Sequence, residues 1–251
     1  MYFPVSFHIG SFDIALHAIM ETAAFFIGFR YFLYLRRNQG DQFSSPTRIW
    51  IIIGAIFGAL IGSRLIGSLE RPYELYLTHD LFDYILNNKT VVGGFLGGLF
   101  GVELAKKIMG EKRASGDLFV FPMILALIIG RIGCFSMGVF EETYGSPTVF
   151  PWGMNLGDGI PRHPVDLYEI CYLILLWVLL YRLNNRTSLE NGALFKLFMI
   201  AYLLFRFLLD FIKPHYTYGI GLSTIQYACC AGLLYYLPYI LYPKKLTIHY
   251  A

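Results

Sequence analysis

The sequence predicts an all-α membrane protein: a polytopic bundle of seven transmembrane helices, with the N-terminus outside and the C-terminus cytoplasmic, built as one domain over residues 1–251. Three observations predict it. Of 251 residues, 56% are hydrophobic and 15% charged, with a mean hydropathy of +0.54, whereas soluble domains carry about 25% charged residues. The apolar residues gather into seven runs, roughly 13–35, 48–69, 91–110, 118–137, 165–183, 192–213 and 220–242, each close to the ~20 residues that cross hydrocarbon as a helix. Lys and Arg fall in every second connection: Arg36, Arg37 and Arg48, then Lys106, Lys107, Lys112 and Arg113, then Arg182 and Arg186, then Lys244 and Lys245. The other side has an N-terminus without Lys or Arg, an acidic loop and the polar stretch before the fifth run, and the cytoplasmic side of a membrane protein holds the excess of basic residues. The net charge of +3 is therefore a topology signal and gives no reason to invoke nucleic acid.

Taken in order, residues 1 to 12 are aromatic and uncharged, as suits a segment at the outer interface. The first run has its basic residues after it and no small-residue cleavage site, so it is expected to stay in the mature chain. It carries Asp13, His17 and Glu21 at i, i+4 and i+8, one face of a helix. Ionisable groups within a span face a bundle interior or a wet cavity, although Asp13 can equally be a helix start and His17 a partner for a neighbour. The second run repeats Gly54, Gly58 and Gly62, a spacing that lets helices approach closely, and ends near Arg64, which either snorkels to the headgroups or holds a lipid phosphate. An acidic loop with Glu70, Glu74, Asp80 and Asp83 follows.

The third run opens with Gly93 and Gly94 in a second small-residue stripe, either helix packing or a place where something bulky meets backbone. The fourth contains Pro122, tolerated where neighbours re-satisfy the backbone, and closes on Gly130-Arg131-Ile132-Gly133-Cys134. A polar stretch then carries Glu141, Glu142, Gly145 and a Pro151-Trp152-Gly153 turn, up to Arg162-His163-Pro164. The fifth run starts with Pro164, Asp166 and Glu169, residues that also serve as plain helix-start signals. In the sixth, Arg206, Asp210 and Lys213 are spaced on one face; Arg206 is either buried against Asp210 or functional. The seventh begins with Ser223, Thr224 and Gln226. Cys134, Cys171, Cys229 and Cys230 lie in or beside apolar runs without metal-type spacing, so no disulfide, metal or cofactor is expected.

On this topology Asp13, His17, Arg64, Arg131, Glu141, Glu142, Arg162, His163, Arg206, Asp210 and Gln226 gather toward one face of the membrane. Guanidinium forks match phosphate oxygens, so arginines at headgroup depth are what a phospholipid site needs. The natural chemistry is displacement at the carbon next to phosphate, with arginine stabilising the leaving group. His17, His163, Glu141, Glu142 and Asp210 are the candidate bases, and the residues alone do not choose among them.

The motifs GRIGCFSMG, PWG, RHPVDLYE, RFLLDF with KP, and GLSTIQ, together with IGSFDI and GSRL, resemble the bacterial prolipoprotein diacylglyceryl transferase family along nearly the whole chain. The resemblance implies seven spans in the plasma (inner) membrane. It also implies transfer of a diacylglyceryl group from phosphatidylglycerol to the lipobox cysteine of a prolipoprotein signal peptide at the outer face, releasing glycerol phosphate. It places Arg131 on the arginine of the family's Gly-Arg-Ile-Gly-Asn-Phe signature and Arg206 on its essential arginine. Asp210 falls where the family has Glu, and Arg162, His163, Tyr168 and Glu169 fall on its Arg-His-Pro and Leu-Tyr-Glu motif. Arg131, Arg206, His17 and Asp210 are thus the expected catalytic set. Arg64, Gly93, Gly94, Cys134, Glu141, Glu142, Gly145, Arg162, His163, Tyr168, Glu169 and Gln226 are the expected substrate contacts.

The chain departs from the pattern at Val92, where the family has histidine, at Cys134 and Met137, where it has asparagine, and at His17, where it has tyrosine. His17 is accordingly expected to replace the missing base, while Cys134 reads as a small buried residue or, more boldly, a nucleophile. Two other readings stay open: a related lipid-group transferase with another acceptor, and a non-catalytic lipid-binding or transport paralogue.

Overall fold

The computed structural model describes residues 3–10 and 12–248, apart from the side chains of Ile9 and Phe12. Residues 1, 2 and 11 of the segment read as interfacial lie outside the described residues. The molecule is mostly helical, and three helices are long and apolar enough to cross a membrane: Leu16–Gln39, Ser45–Ser68 and Asp117–Phe140.

The chain opens with an antiparallel hairpin, β1 (Ser6–Ile9) and β2 (Phe12–Ala15), in which His8 is paired with Asp13 across the strands. This corrects two expectations. The fold is not wholly α, and Asp13 does not share a helix face with His17, because the first helix, α1 (Leu16–Gln39), begins only after Ala15 in extended backbone. Among the described residues the two strands pair only with each other, and beside them Leu16 N–H donates to Val5 O while Val5 N–H donates to Ser136 O. That last bond ties the N-terminal segment to the end of another helix.

After α1, Ser44 caps α2 (Ser45–Ser68), with Pro46 in its first turn, where a missing N–H costs nothing. The expected acidic loop contains two short helices, α3 (Pro72–Leu77) and α4 (Leu81–Asn87). Thr90 caps α5 (Val91–Ile108), accepting from Gly93 N–H. The two glycine stripes meet: Gly54, Gly58 and Gly62 of α2 pack antiparallel on Gly101, Gly97 and Gly93 of α5, so that a Cβ at Gly58 would run into Gly97 O. Then come α6 (Val120–Met137), a second hairpin of β3 (Met154–Asn155) and β4 (Pro161–Arg162), α7 (Val165–Arg186), α8 (Ala193–Leu209), α9 (Thr224–Tyr235) and the short α10 (Leu237–Leu241).

The core lies between α5, α6, α7, α8 and α9, around Val92, Ile124, Leu173, Phe198, Tyr202 and Cys229. On the outside, α2 exposes Ile56, Phe57 and Ile61 at 59%, 61% and 63%. An apolar belt of that kind is a liability in water and ordinary against lipid tails.

Charged groups sit at the two ends of the bundle. At one end Arg48, 1% exposed, binds Asp41 and Ser115 O, and Gly192 and Phe195 N–H groups donate to Asp117. A cavity of about 350 Å³ lies there, lined by Asp41, Arg48, Asp117 and Asn191. The opposite end collects the start of α1, α7 and α9 and the finish of α2, α6 and α8.

Candidate functional site

That opposite end is built around Glu169, in the second turn of α7 and 1% exposed. Arg131, in the last turns of α6, brings Nε to 3.0 Å from Glu169 Oε2. Arg206, in the last turn of α8, donates from Nη1 to the same oxygen at 2.7 Å, and Tyr202 O–H donates to Oε1 at 2.7 Å. Arg131 Nη1 also lies 3.5 Å from Asp166 Oδ1, whose second oxygen accepts from Thr143 Oγ1 at 3.3 Å. Two arginines, 6% and 5% exposed, are tolerable at this depth only because carboxylates neutralise them. Arg206 therefore pairs with Glu169 and not with Asp210. The backbone tightens into a 3₁₀ turn at Asp210–Ile212, and Asp210 turns to the Ser223 hydroxyl, with His215 Nδ1 at 3.8 Å.

The arginines are not saturated by these partners. Arg206 Nε is buried without a hydrogen-bond partner, as is Arg64 Nε near the end of α2. Among the described residues Arg64 makes no ion pair.

A second group lies beside Arg131. Its Nη1 is 3.6 Å from Cys134 Sγ, which is 3.9 Å from Glu141 Oε1, and Glu141 Oε2 is 3.1 Å from His17 Nδ1. His17 Nε2 is 3.6 Å from Glu21 Oε2, and Glu21 is held by Lys89 at 2.5 Å. His17, Cys134 and Glu141, each singled out in the sequence for a separate reason, come together here.

The remaining predicted residues fall around these two groups. Gly93 is packed on Gly62 and Ile66 of α2, whereas a Cβ at Gly94 would meet Ser63 at an ordinary 3.6 Å. Glu142 is paired with Arg71, in a cleft also lined by Glu70, Asp210, Lys213 and Ser223. Burial pushes the Glu70 carboxyl above its usual range, with Lys213 opposing. Gly145 O accepts from Arg162 Nη1 at 3.4 Å, and the Asp158 carboxyl is held below its usual range by its hydrogen bond from Arg162. His163 Nδ1 is 3.2 Å from Tyr168 O–H. Gln226 is fully buried; its side chain accepts from Ser223 N–H and donates to Phe207 O, closing a capping box that joins α9 to α8. Val92 is a core residue at 0% exposure.

A family model described as prolipoprotein diacylglyceryl transferase matches residues 4–242. The chain belongs to the prolipoprotein diacylglyceryl transferase family. Named relatives include the phosphatidylglycerol–prolipoprotein diacylglyceryl transferases of Cupriavidus metallidurans, 33% identical over 84% of this chain and 80% of the relative, and of Idiomarina loihiensis, 32% identical over 84% and 80%. That of Nitratidesulfovibrio vulgaris is 31% identical over 92% of this chain and 89% of its own length. The family match spans both hairpins and every helix described above, so this family member carries its buried arginine cluster inside the shared region.

Sequence reading missed Tyr202, Thr143, Arg71 and Lys89, and took Asp166 for a helix-start signal. Tyr202 stands four residues before Arg206, one helical turn away, which was the available signal. Arg71 and Lys89 pair across long sequence separations that no local pattern marks.

Proposed function

We propose that this chain transfers a diacylglyceryl group from phosphatidylglycerol to the cysteine thiol of a prolipoprotein, working as a single membrane unit at the outer face of the bacterial plasma membrane. The observation that carries the reading is the convergence of Arg131 and Arg206, two buried arginines from different helices, on one oxygen of Glu169. Their fixed guanidinium groups are preorganised for a phosphate, and fixed donors act most strongly where water is excluded. Seven spans with the N-terminus outside fit the alternation of basic connections and the gathering of alternate helix ends at the site.

In the reaction, the acceptor sulfur attacks the glycerol carbon that bears the phosphate. The C–O bond breaks and its electron pair leaves with glycerol phosphate, against Arg131 and Arg206. The thiol proton goes to His17 Nδ1, which faces Glu141, while Nε2 is directed at Glu21. Val92 is buried in the core, and His17 is the imidazole within 4.8 Å of Cys134. Asp210 acts by position, joining the end of α8 to Ser223. Arg64 extends the phosphate contact, and Glu142, Gly145, Arg162, His163 and Tyr168 form the acceptor side.

The test is lipid transfer by the full chain in nanodiscs containing phosphatidylglycerol, read as the mass gained by a lipobox peptide. A gain of one diacylglyceryl group is expected, and His17→Phe lowers the rate about 10²-fold, the low end for a general base. Glycerol phosphate release without peptide modification moves the reading to another acceptor, and absence of both refutes it. Undiminished transfer by His17→Phe removes the base assignment alone.

A further inference from the structure

We propose that His17, Cys134 and Glu141 form a binding site for a divalent cation of the zinc class. One ligand atom from each lies within 4.8 Å of the others, and the donors are those zinc takes: imidazole nitrogen, thiolate and carboxylate. Bond lengths near 2.0–2.3 Å at tetrahedral angles put such donors about 3.4–3.6 Å apart. Here His17 Nδ1 and Glu141 Oε2 are 3.1 Å apart, and Cys134 Sγ is 3.9 Å from Glu141 Oε1. These two separations, which end on the two oxygens of one carboxylate, are within half an ångström of the geometry an ion would set, and the remaining pair, His17 and Cys134, is within 4.8 Å.

The decisive sign is an unmet demand. His17 Nδ1 and Glu141 Oε2 are both inaccessible to water, and neither makes a hydrogen bond, although they face each other. Buried polar atoms in folded proteins are nearly always satisfied, and an orphan requires an explanation. Two orphans side by side are what ligands show when the group they hold is absent. The surroundings are also those of a metal site. Glu21 stands behind His17 Nε2, fixed by Lys89, and a carboxylate behind a ligating imidazole orients the ring and raises its basicity.

Three protein donors leave one tetrahedral position open, and the His17 and Glu141 side chains are 20% and 27% exposed, so an ion can enter from the surface. Because the ligating atom is His17 Nδ1, a bound cation and the proposed thiol proton compete for one lone pair. Zinc is therefore expected to block lipid transfer and a chelator to restore it. That consequence rests on the transferase reading; the site itself does not.

Cobalt(II) titration of the full chain in nanodiscs tests the site without any turnover. The expected result is one Co²⁺ per chain with a thiolate-to-cobalt charge-transfer band, displaced by one equivalent of Zn²⁺. Cys134→Ser loses the band, and Glu141→Gln, in the loop beyond α6 and outside its helix packing, weakens binding at least about ten-fold. Absence of saturable binding, or a spectrum and affinity unchanged in both variants, overturns the proposal. Should Cys134→Ser fail to fold, Glu141→Gln carries the test. Should wild-type transfer fail while cobalt binds as described, the transferase reading falls and the site stands.

Discussion

Glu169→Gln is the most informative substitution, because one oxygen holds both arginines. The carboxylate accepts at 3.0 and 2.7 Å from Arg131 and Arg206, and two unit charges about 4 Å apart interact by about 4 kcal/mol at an effective dielectric of 20. Desolvation already spent on the cluster is not recovered when the anion is removed, so breaking a buried pair costs about 3–5 kcal/mol. Folded proteins have only about 5–15 kcal/mol in hand. The variant is thus expected to fold with a lowered unfolding midpoint. Its catalytic effect is separate: with the shared anion gone, the guanidinium groups repel and lose the position from which they are proposed to meet the leaving phosphate. A loss of about 3 kcal/mol of transition-state stabilisation, in the range for one preorganised donor, is about a hundred-fold in rate. The assay is peptide lipidation per folded chain, with folded protein quantified by size exclusion and circular dichroism. The rate constant is expected to fall about 10²-fold, while KM for phosphatidylglycerol does not rise, since Glu169 no longer competes for the arginines. A wild-type rate per folded chain would show that Glu169 does not set the arginine geometry, and the reasoning would fail.

Two further substitutions probe the frame. Gly58→Ala places a Cβ against Gly97 O, and overpacking of that kind costs about 1–3 kcal/mol; thermal unfolding in detergent should drop accordingly, while Gly94→Ala, with its nearest neighbour at 3.6 Å, should leave the midpoint nearly unchanged. Equal effects at both positions would refute the account of the α2–α5 contact. At the far end, burial pushes the Asp41 carboxyl up, but hydrogen bonds from Arg48 and Phe43 N–H and the charges of Arg48 and Arg36 leave it below its ordinary range. A depressed carboxylate contributes stability that is complete above the unfolded pKa of about 3.9 and is lost as pH falls through the folded value. The unfolding midpoint should therefore be flat from neutral pH down to about 5 as far as Asp41 is concerned, and Asp41→Asn should cost about 3–5 kcal/mol at pH 7 while reducing the acid-induced loss. A variant with the wild-type acid limb would contradict this.

How much was legible in the sequence follows from which signals are local. The apolar runs and glycine stripes are periodic within one helix, so close packing is readable from spacing, whereas the partner is not; the structure sets Gly54, Gly58 and Gly62 against Gly101, Gly97 and Gly93. Asp13 misled because its spacing from His17 fits a helix as well as a strand followed by a helix start, and nothing in IGSFDI marks where extended backbone ends. Arg206 misled for a different reason. Asp210 is the nearest carboxylate in sequence, but the last turn of α8 tightens to 3₁₀ there, while Glu169 arrives from α7 at the right depth. Tertiary pairing of that kind depends on helix rotation, which a single sequence does not report. His17, Cys134 and Glu141 were each readable as site residues, yet their closeness was not, because it needs the end of α6, the start of α1 and the following loop to converge.

The shared oxygen also explains how a cluster this polar can stand ready for the proposed phospholipid. Two arginines held by separate carboxylates would each be satisfied in their own geometry, and a phosphate would have to pull both out of place. Here both address one oxygen of Glu169, so their groups are already spaced as two donors to a single acceptor atom. Arg206 Nε remains without a partner, so a further anion can be bound without dismantling the cluster. Reorganisation is then small at the moment charge develops on the leaving oxygen, which is the condition under which fixed donors lower a barrier rather than merely tighten binding. Tyr202, donating to the other oxygen of Glu169, keeps that carboxylate from rotating toward either arginine alone. It belongs to the same device, although its phenolic ring lies buried in the core.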